Sequence, residues 1–308
     1  MKILWKDLTV SAPRLNLFKT KMNKVIVILG QTATGKSNLA VKIAQKLNGE
    51  VISADSRQVY RGLDIGAGKI TEKEKRQIPH HLLDVANPKR RFTVAQYKKL
   101  AEKKIKEIIK RKKIPIICGG TGFYIDAVTK GLVFPAAPPN YSLRQKLALT
   151  SDRILMLKLK KLDPERAKKI DPRNKVRIIR AIEIAKALGR VPPITEALPP
   201  YEFIKIGLCL PPNELTKNIE KRVKKMFKLG LLKEIKKLKK SGVLDKRLKE
   251  LGFEYFNPTY EKVVKETLKY AKRQMTWFKR DKEIKWFAGD EGIGPPTSVL
   301  ETEVMPLN

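Results

Sequence analysis

Acidic residues, cysteine and histidine are scarce in this chain, and it holds no apolar run of membrane length. Asp and Glu number 31 against 67 Lys and Arg, which leaves a formal net charge of +36 over 308 residues. A compact protein with that surplus repels itself unless a polyanion screens it. Nucleic acid is the partner class the charge points to, and a lysine-rich compositional bias is the plainer alternative. Cys118 and Cys209 lie far apart, without C-x-x-C spacing. This excludes a disulfide scaffold and a sequence-readable zinc site, and fits a reducing compartment. His80 and His81 are consecutive, so they lack the i, i+4 spacing that sets two ligands on one helical face; structural hydrogen bonding is their expected role. The longest apolar runs, such as residues 25–29, are strand-sized, against about 18 residues or more for a membrane span. No apolar segment followed by a small-residue cleavage site opens the chain. A soluble, cytoplasmic monomer without membrane association is expected.

Hydrophobic residues at 42% and aromatics at 7% suffice for a packed core, which argues against global disorder. The length is about twice that of a typical domain of roughly 150 residues. Residues 1–22 follow neither helical nor strand period and read as an extension, with Met22 a candidate initiator. Val25-Ile26-Val27-Ile28-Leu29 is a continuous run of the kind found in strands buried on both faces of a parallel sheet. A helix over 37–47, a strand over 51–54, a basic helix over 97–113 and a strand over 114–118 follow. Alternating strands and helices predict an α/β fold, a P-loop parallel sheet flanked by helices. Prolines cluster at 135–139 and again at 192–200, and 131–200 read as an inserted small helical domain. The core then comprises 23–130 plus 201–287. It resumes with a strand over 204–210 and amphipathic, lysine-studded helices over 213–280. Residues 288–308 carry only acidic charge and are expected to be a disordered tail.

Between the first strand and the first helix stands Gly30-Gln31-Thr32-Ala33-Thr34-Gly35-Lys36-Ser37, a match to G-x-x-x-x-G-K-[ST]. Such glycines let backbone N–H groups turn toward an anion, and the helix N-terminus adds positive potential. Lys36 is placed for terminal phosphates and Ser37 for Mg²⁺. A P-loop names the ligand class, not the reaction. The strand over 114–118 ends in Cys118-Gly119-Gly120-Thr121 without the Mg²⁺-holding carboxylate of an ordinary ATPase, which leaves Thr121 as a hydroxyl at the crevice. Asp55 sits where the second strand ends, the edge at which open α/β sheets bind ligands. It reads either as a turn cap or as a base beside a bound pyrophosphate.

Taken together, the motifs resemble the tRNA dimethylallyltransferase family, in its compact bacterial form. They are the P-loop, Ile52-Ser53-Ala54-Asp55-Ser56-Arg57-Gln58-Val59-Tyr60, Gly62-Leu63-Asp64-Ile65-Gly66, and Pro79-His80-His81-Leu82-Leu83-Asp84. Gly119-Gly120-Thr121-Gly122-Phe123-Tyr124, Arg177-Ile178-Ile179-Arg180-Ala181-Ile182-Glu183 and Arg273-Gln274-Met275-Thr276-Trp277-Phe278-Lys279-Arg280 continue the series in order. The resemblance implies transfer of a dimethylallyl group from dimethylallyl diphosphate to N6 of adenosine 37, in the anticodon stem-loop of tRNA. It implies Asp55 as the group that binds the adenine amine and accepts its proton, Thr121 on the pyrophosphate side, and Arg222 stabilising the leaving group. Residues 30–37 and Lys69 would hold the diphosphate, with Mg²⁺ on Ser37. Asp55, Ser56, Arg57, Gln58, Arg144, Val176, Arg177, Ile178, Ile179, Arg180, Lys272, Arg273, Gln274, Trp277 and Arg280 would meet tRNA, as would 249–254, with Trp277 turned inward and the Arg/Lys face of its helix on phosphate.

The chain departs from the family pattern in places. Gln31 stands where the family commonly has proline, Gly66-Ala67-Gly68-Lys69-Ile70 replaces Gly-Thr-Ala-Lys-Pro, and Leu251-Gly252-Phe253-Glu254-Tyr255 matches Gly-Tyr-Lys-Glu loosely. A P-loop small-molecule or nucleotide kinase is the alternative enzyme, and a non-catalytic RNA-binding ATPase the alternative outside catalysis.

Overall fold

The structure, a computed structural model, describes residues 23–288. The expected extension over 1–22 and the tail from 289 onward lie outside the described residues. The chain runs β1 (Lys24–Gly30), α1 (Lys36–Leu47), β2 (Gly49–Ser53), α2 (Glu72–Lys75), β3 (His80–His81), α3 (Val94–Lys110), β4 (Ile114–Cys118) and α4 (Gly122–Thr129). Next come β5 (Leu132–Val133), α5 (Tyr141–Ala148), α6 (Asp152–Leu162), α7 (Pro164–Lys169), α8 (Lys175–Leu188) and β6 (Thr195–Glu196). It finishes with β7 (Glu202–Cys209), α9 (Pro212–Leu229), α10 (Leu231–Lys240), α11 (Asp245–Leu251), α12 (Tyr260–Phe278) and β8 (Lys285–Ala288).

Six strands form one sheet in the order β3-β2-β4-β1-β7-β8, every neighbouring pair parallel. This is the parallel α/β sheet that the alternating pattern predicts. Period-two alternation in β1 sorts its side chains onto two cores. Val25, Val27 and Leu29 pack with Ile52, Ile117 and the Tyr97, Ala101, Ile105 and Ile108 stripe of α3. Ile26 and Ile28 face the other way, onto Leu39, Ala40, Ile43 and Ala44 of α1. Burying each such large side chain contributes about 1.5–3 kcal/mol, which holds helices on both faces and leaves the strand ends as the open edge.

Several boundaries differ from those read in the sequence. Helix α3 starts at Val94 rather than 97, because Thr93 and Gln96 form a capping box, a start signal that outweighs the first apolar residue. It stops at Lys110, and Lys112 turns left-handed at φ 57 just beyond. Strand β2 starts at Gly49 and β7 at Glu202, both earlier than expected. Strand β8 was missed: Lys285-Trp286-Phe287 is too short to show a period, and pairing with β7 decides its conformation. Ala288 therefore belongs to this strand, opposite Cys209, and not to the tail.

Residues Lys130–Leu198 form a separate compact unit. Its two ends are clasped by antiparallel pairing of β5 with β6, Leu132 opposite Glu196 and Val133 opposite Thr195. Leu147, Leu155, Leu159, Ile170, Ile178 and Ile182 make its core. Side chains of Asn140, Ser151, Asp163 and Asn174 cap α5, α6, α7 and α8, so short helices here start on specific polar residues.

Glu50 in β2 is buried and paired with Arg111 at 2.6 Å, His81 at 2.7 Å and Lys113 at 3.0 Å. His80 Nδ1 lies 2.8 Å from the Ile78 carbonyl, so both histidines serve hydrogen bonding. Burial opposes ionisation of Glu50, but the bonds from Arg111, His81 and Lys113 outweigh it and bring the carboxyl from 4.5 down to about 2. Its contribution is therefore complete above pH 4.5 and lost as pH falls through 2. Glu50→Gln should be less stable than wild type by about 2 kcal/mol at pH 6, with the gap closing toward pH 2. Urea denaturation across that window measures it, and a gap constant with pH would contradict the ion pairing.

Candidate active site

The sheet's carboxyl edge carries the phosphate-loop sequence. Strand β1 ends at Gly30, φ +133, where a Cβ would lie 2.1 Å from the Leu208 carbonyl oxygen of β7. Gly35 is the left-handed N-cap of α1 and offers no side-chain cap, so the first-turn N–H groups are open to an anion. The Thr34 hydroxyl donates to the Gln31 carbonyl at 2.8 Å, and Lys36 Nζ donates to the same oxygen. Ser37 is exposed at the start of α1. Burial pulls the Lys36 amine down to about 8; Arg222 adds to the fall, while Cys118 and Asp55 oppose it. A cation held this way favours a bound anion, because the anion restores its charge.

Two further strand ends meet this loop. The Ser56 N–H donates to the Thr121 hydroxyl at 2.9 Å, and the Thr121 N–H donates to the Ala54 carbonyl at 3.1 Å. The Thr121 hydroxyl and N–H thus bond across to the β2 loop, while its carbonyl accepts from the N–H groups of Tyr124 and Ile125. Asp55 Oδ1 accepts from the N–H groups of Arg57 at 2.7 Å and Gln58 at 3.2 Å. Its Oδ2 takes no hydrogen bond among the described residues.

A chamber of about 350 Å³ spreads over the loop and is lined by Lys36, Ser37, Gln58 and Cys118 among others. A smaller one, about 80 Å³, is lined by Ser56, Arg57, Val223, Met226, Phe253 and Glu254 among others. Thr32, Asp55, Arg222 and Tyr270 line both, so the two adjoin. Arg222 lies on the 66–68 loop, where a Cβ on Gly68 would sit 1.9 Å from its guanidinium. That loop is tied from both sides. Gln58 donates to the Gly68 carbonyl at 3.2 Å, and Glu234 accepts from the N–H groups of Asp64, Ile65 and Gly66 at 2.7–3.1 Å. Sequence reasoning missed Glu234, because its contacts lie some 170 residues away along the chain. It also missed Tyr270, although Tyr270 shares a helical face with Gln274 at i, i+4.

Three residues assigned from the resemblance have their side chains engaged within the fold. Lys69 does not line either chamber; its amine is held by Asp64 at 2.5 Å, Asp84 at 2.6 Å and the Tyr60 carbonyl. Gln274 is buried and braces the crevice, accepting from the Thr32 N–H at 2.8 Å and donating to the Gly120 carbonyl at 2.9 Å. Ile178 is fully buried in the core of the separate unit, so its side chain is closed to RNA. In that unit Arg144 and Arg180 both bond to buried Glu183, while Val176 and Arg177 are exposed and Ile179 is half-buried. Lys272 and Arg273 on α12, and Arg280 just beyond its end, are exposed. Trp277 is half-buried, donates to Asp126 at 3.1 Å and carries the Arg280 guanidinium over its ring.

Fold and crevice together define a P-loop protein of the parallel α/β class, with the loop and the Asp55 carboxylate lining one chamber. The chain belongs to the IPP transferase family, whose model matches residues 58–281. It is 39% identical to the tRNA dimethylallyltransferase of Pelotomaculum thermopropionicum over 87% of this chain and 91% of that protein. With the tRNA dimethylallyltransferase of Bacillus subtilis it shares 37% identity, over 85% and 90% respectively. Among solved structures, a full-length tRNA isopentenylpyrophosphate transferase from Bacillus halodurans matches with a TM-score of 0.65 at 35% identity, covering 91% of this chain and 94% of that one. A eukaryotic dimethylallyltransferase acting on tRNA matches with a TM-score of 0.76 at 28% identity, covering 87% and 74%.

Two outcomes are expected. Affinity for inorganic pyrophosphate with Mg²⁺ should fall as pH rises past about 8, and fall less steeply in Lys36→Met. Calorimetric titration from pH 7 to 9.5 compares the slopes, and equal slopes would exclude Lys36 as the titrating group. Gln274→Leu should cost about 1–3 kcal/mol through unpaired loop groups and weaken pyrophosphate binding while leaving RNA retention on a filter within about threefold. Loss of RNA retention alone would restore Gln274 as an RNA contact.

Proposed function

We propose that the protein transfers a dimethylallyl group from dimethylallyl diphosphate to N6 of adenosine 37 in tRNA, giving N6-isopentenyladenosine and pyrophosphate. The observation that carries this reading is that Asp55 and Arg222 both line the two adjoining chambers, one of them built on the phosphate loop. An exocyclic adenine amine is a poor nucleophile, since its lone pair is delocalised into the ring. The reaction therefore needs a leaving group whose charge is taken up and an acceptor for the amine proton. The C1–O bond of the donor breaks, and its electron pair leaves on the diphosphate toward Lys36, Arg222 and the N-terminus of α1. The N6–C1 bond forms, and the N6 proton passes to Asp55, whose Oδ2 is free to receive it. Thr121 and Gln274 hold the loops that frame this path.

The residues present fit Mg²⁺. Ser37 is exposed beside the cradle, and the described residues include no cluster of three or more His, Cys, Asp or Glu side chains that could cage an ion. Mg²⁺ typically takes one or two protein ligands and completes its shell with substrate phosphates and water. When bound on Ser37 and the donor it would neutralise diphosphate charge. No helix among the described residues is long and apolar enough to cross a membrane.

An adenosine within a folded anticodon loop has to be extruded to reach Asp55. Exposed Lys272, Arg273 and Arg280, with Arg177 and the overall +36, supply the charge to hold the RNA backbone. The relatives are named for dimethylallyl or isopentenyl transfer, which leaves the kinase alternative without support.

Asp55→Asn should lower turnover on tRNA by about 10²–10⁴-fold and change tRNA affinity less than about threefold. Nucleoside mass analysis after single turnover, beside a binding titration, tests this; normal chemistry with lost binding would remove Asp55 as the base. Affinity for tRNA should drop by about 10³–10⁵ between 50 and 200 mM salt if about 6–10 phosphates are contacted. A flat profile would reduce the basic surplus to composition.

A further inference from the structure

Asp55 is not the sole carboxyl in the smaller chamber. Glu254, in the loop after α11, lines it as well. Glu254 Oε2 is buried and has no hydrogen-bond partner. The oxygen packs on Gly252, where an added Cβ would meet it at 2.5 Å and the Arg57 guanidinium carbon at 3.4 Å. Arg57 nevertheless spends a guanidinium N–H on the Glu250 carbonyl, at 2.9 Å. An orphaned buried carboxyl oxygen costs about 1–3 kcal/mol, so its persistence marks a place where a ligand supplies the missing partner.

The chemistry of the ligand follows from the pair. Adenine presents an N–H donor at N6 flanked on either side by a ring-nitrogen acceptor, N1 or N7. Two carboxyl groups can read such an edge only if one accepts and the other donates. Asp55, already fixed by the N–H groups of Arg57 and Gln58, is the acceptor. Guanine would turn a carbonyl oxygen toward Asp55 and be repelled. We propose that Glu254 determines base specificity, donating a hydrogen bond from its carboxyl to a ring nitrogen of the adenine whose amine Asp55 receives. Burial pushes the Glu254 carboxyl up to about 7; Asp55 adds to the rise, and Arg57, Arg222 and the residue's own backbone N–H oppose it. The donor form is thus accessible near neutral pH.

This inference rests on the proposed transfer reaction, and the test separates the two. Anticodon stem-loop RNAs carrying adenosine, 1-deazaadenosine or 7-deazaadenosine at the modified position are reacted with dimethylallyl diphosphate and Mg²⁺. The enzymes compared are wild type, Glu254→Gln and Glu254→Leu. Wild type should lose about 10-fold or more in kcat/KM on one deaza RNA, a loss of about 1.4 kcal/mol. Glu254→Leu should lose a similar factor on adenosine, with no further penalty on that deaza RNA. Glu254→Gln, whose amide still donates, should keep the wild-type preference. Equal wild-type rates on all three RNAs, or a deaza penalty undiminished in Glu254→Leu, would overturn the assignment. If Glu254→Leu does not fold, the wild-type comparison and Glu254→Gln still decide it. Absence of product from wild type on adenosine would instead sink the transfer reaction, and the inference with it.

Discussion

Positive charge held in a half-desolvated crevice is the constraint on which the rest of this structure depends. Burial disfavours the charge on Lys36, and Arg222, which lines the same chamber, disfavours it further. A desolvated cation beside a second one is stabilised by neighbouring negative charge. Asp55 supplies part of that negative charge in the free protein. An anion bound at the loop would supply more and relieve a tension the fold maintains.

Maintaining it falls to uncharged or remote groups. The Gln274 amide joins the phosphate loop to the β4 loop, Thr121 joins the β4 loop to the β2 loop, and Glu234 ties three successive backbone N–H groups of the 64–66 turn. Each bond crosses between segments distant in sequence, and together they set the distance between cation and carboxylate. Effects of single substitutions among them should be strongly coupled, because they share one network.

In the separate unit the arginines are engaged differently. Arg144 and Arg180 converge on buried Glu183, whose carboxyl is held below its ordinary range; burial opposes this, and the bonds from Arg144, Arg180 and the Asn140 N–H override it. A residue matching a binding motif can thus be a strut. Among the residues of this unit that match the motif, Val176 and Arg177 are the ones left exposed.

Much was legible without coordinates. The β-branched run of β1, the phosphate loop behind it and the strand–helix alternation impose a parallel sheet with a ligand edge, because these are local patterns with one compatible geometry. Asp55 and Thr121 could be nominated for the same reason, since each lies in the loop that leaves a strand's carboxyl end. What the chain order leaves undetermined is which groups face which. Lys69 looked like a second phosphate cation and is consumed by Asp64 and Asp84. Gln274, expected at RNA, also serves as an internal brace; Glu254 stood in a stretch expected to meet tRNA, but its unpartnered oxygen was not readable there, and β8 and Glu234 left no trace. Local sequence sets backbone preference and turn chemistry. Side-chain partnership across 100 or more residues is settled by how the elements pack, and only the tertiary structure decides it.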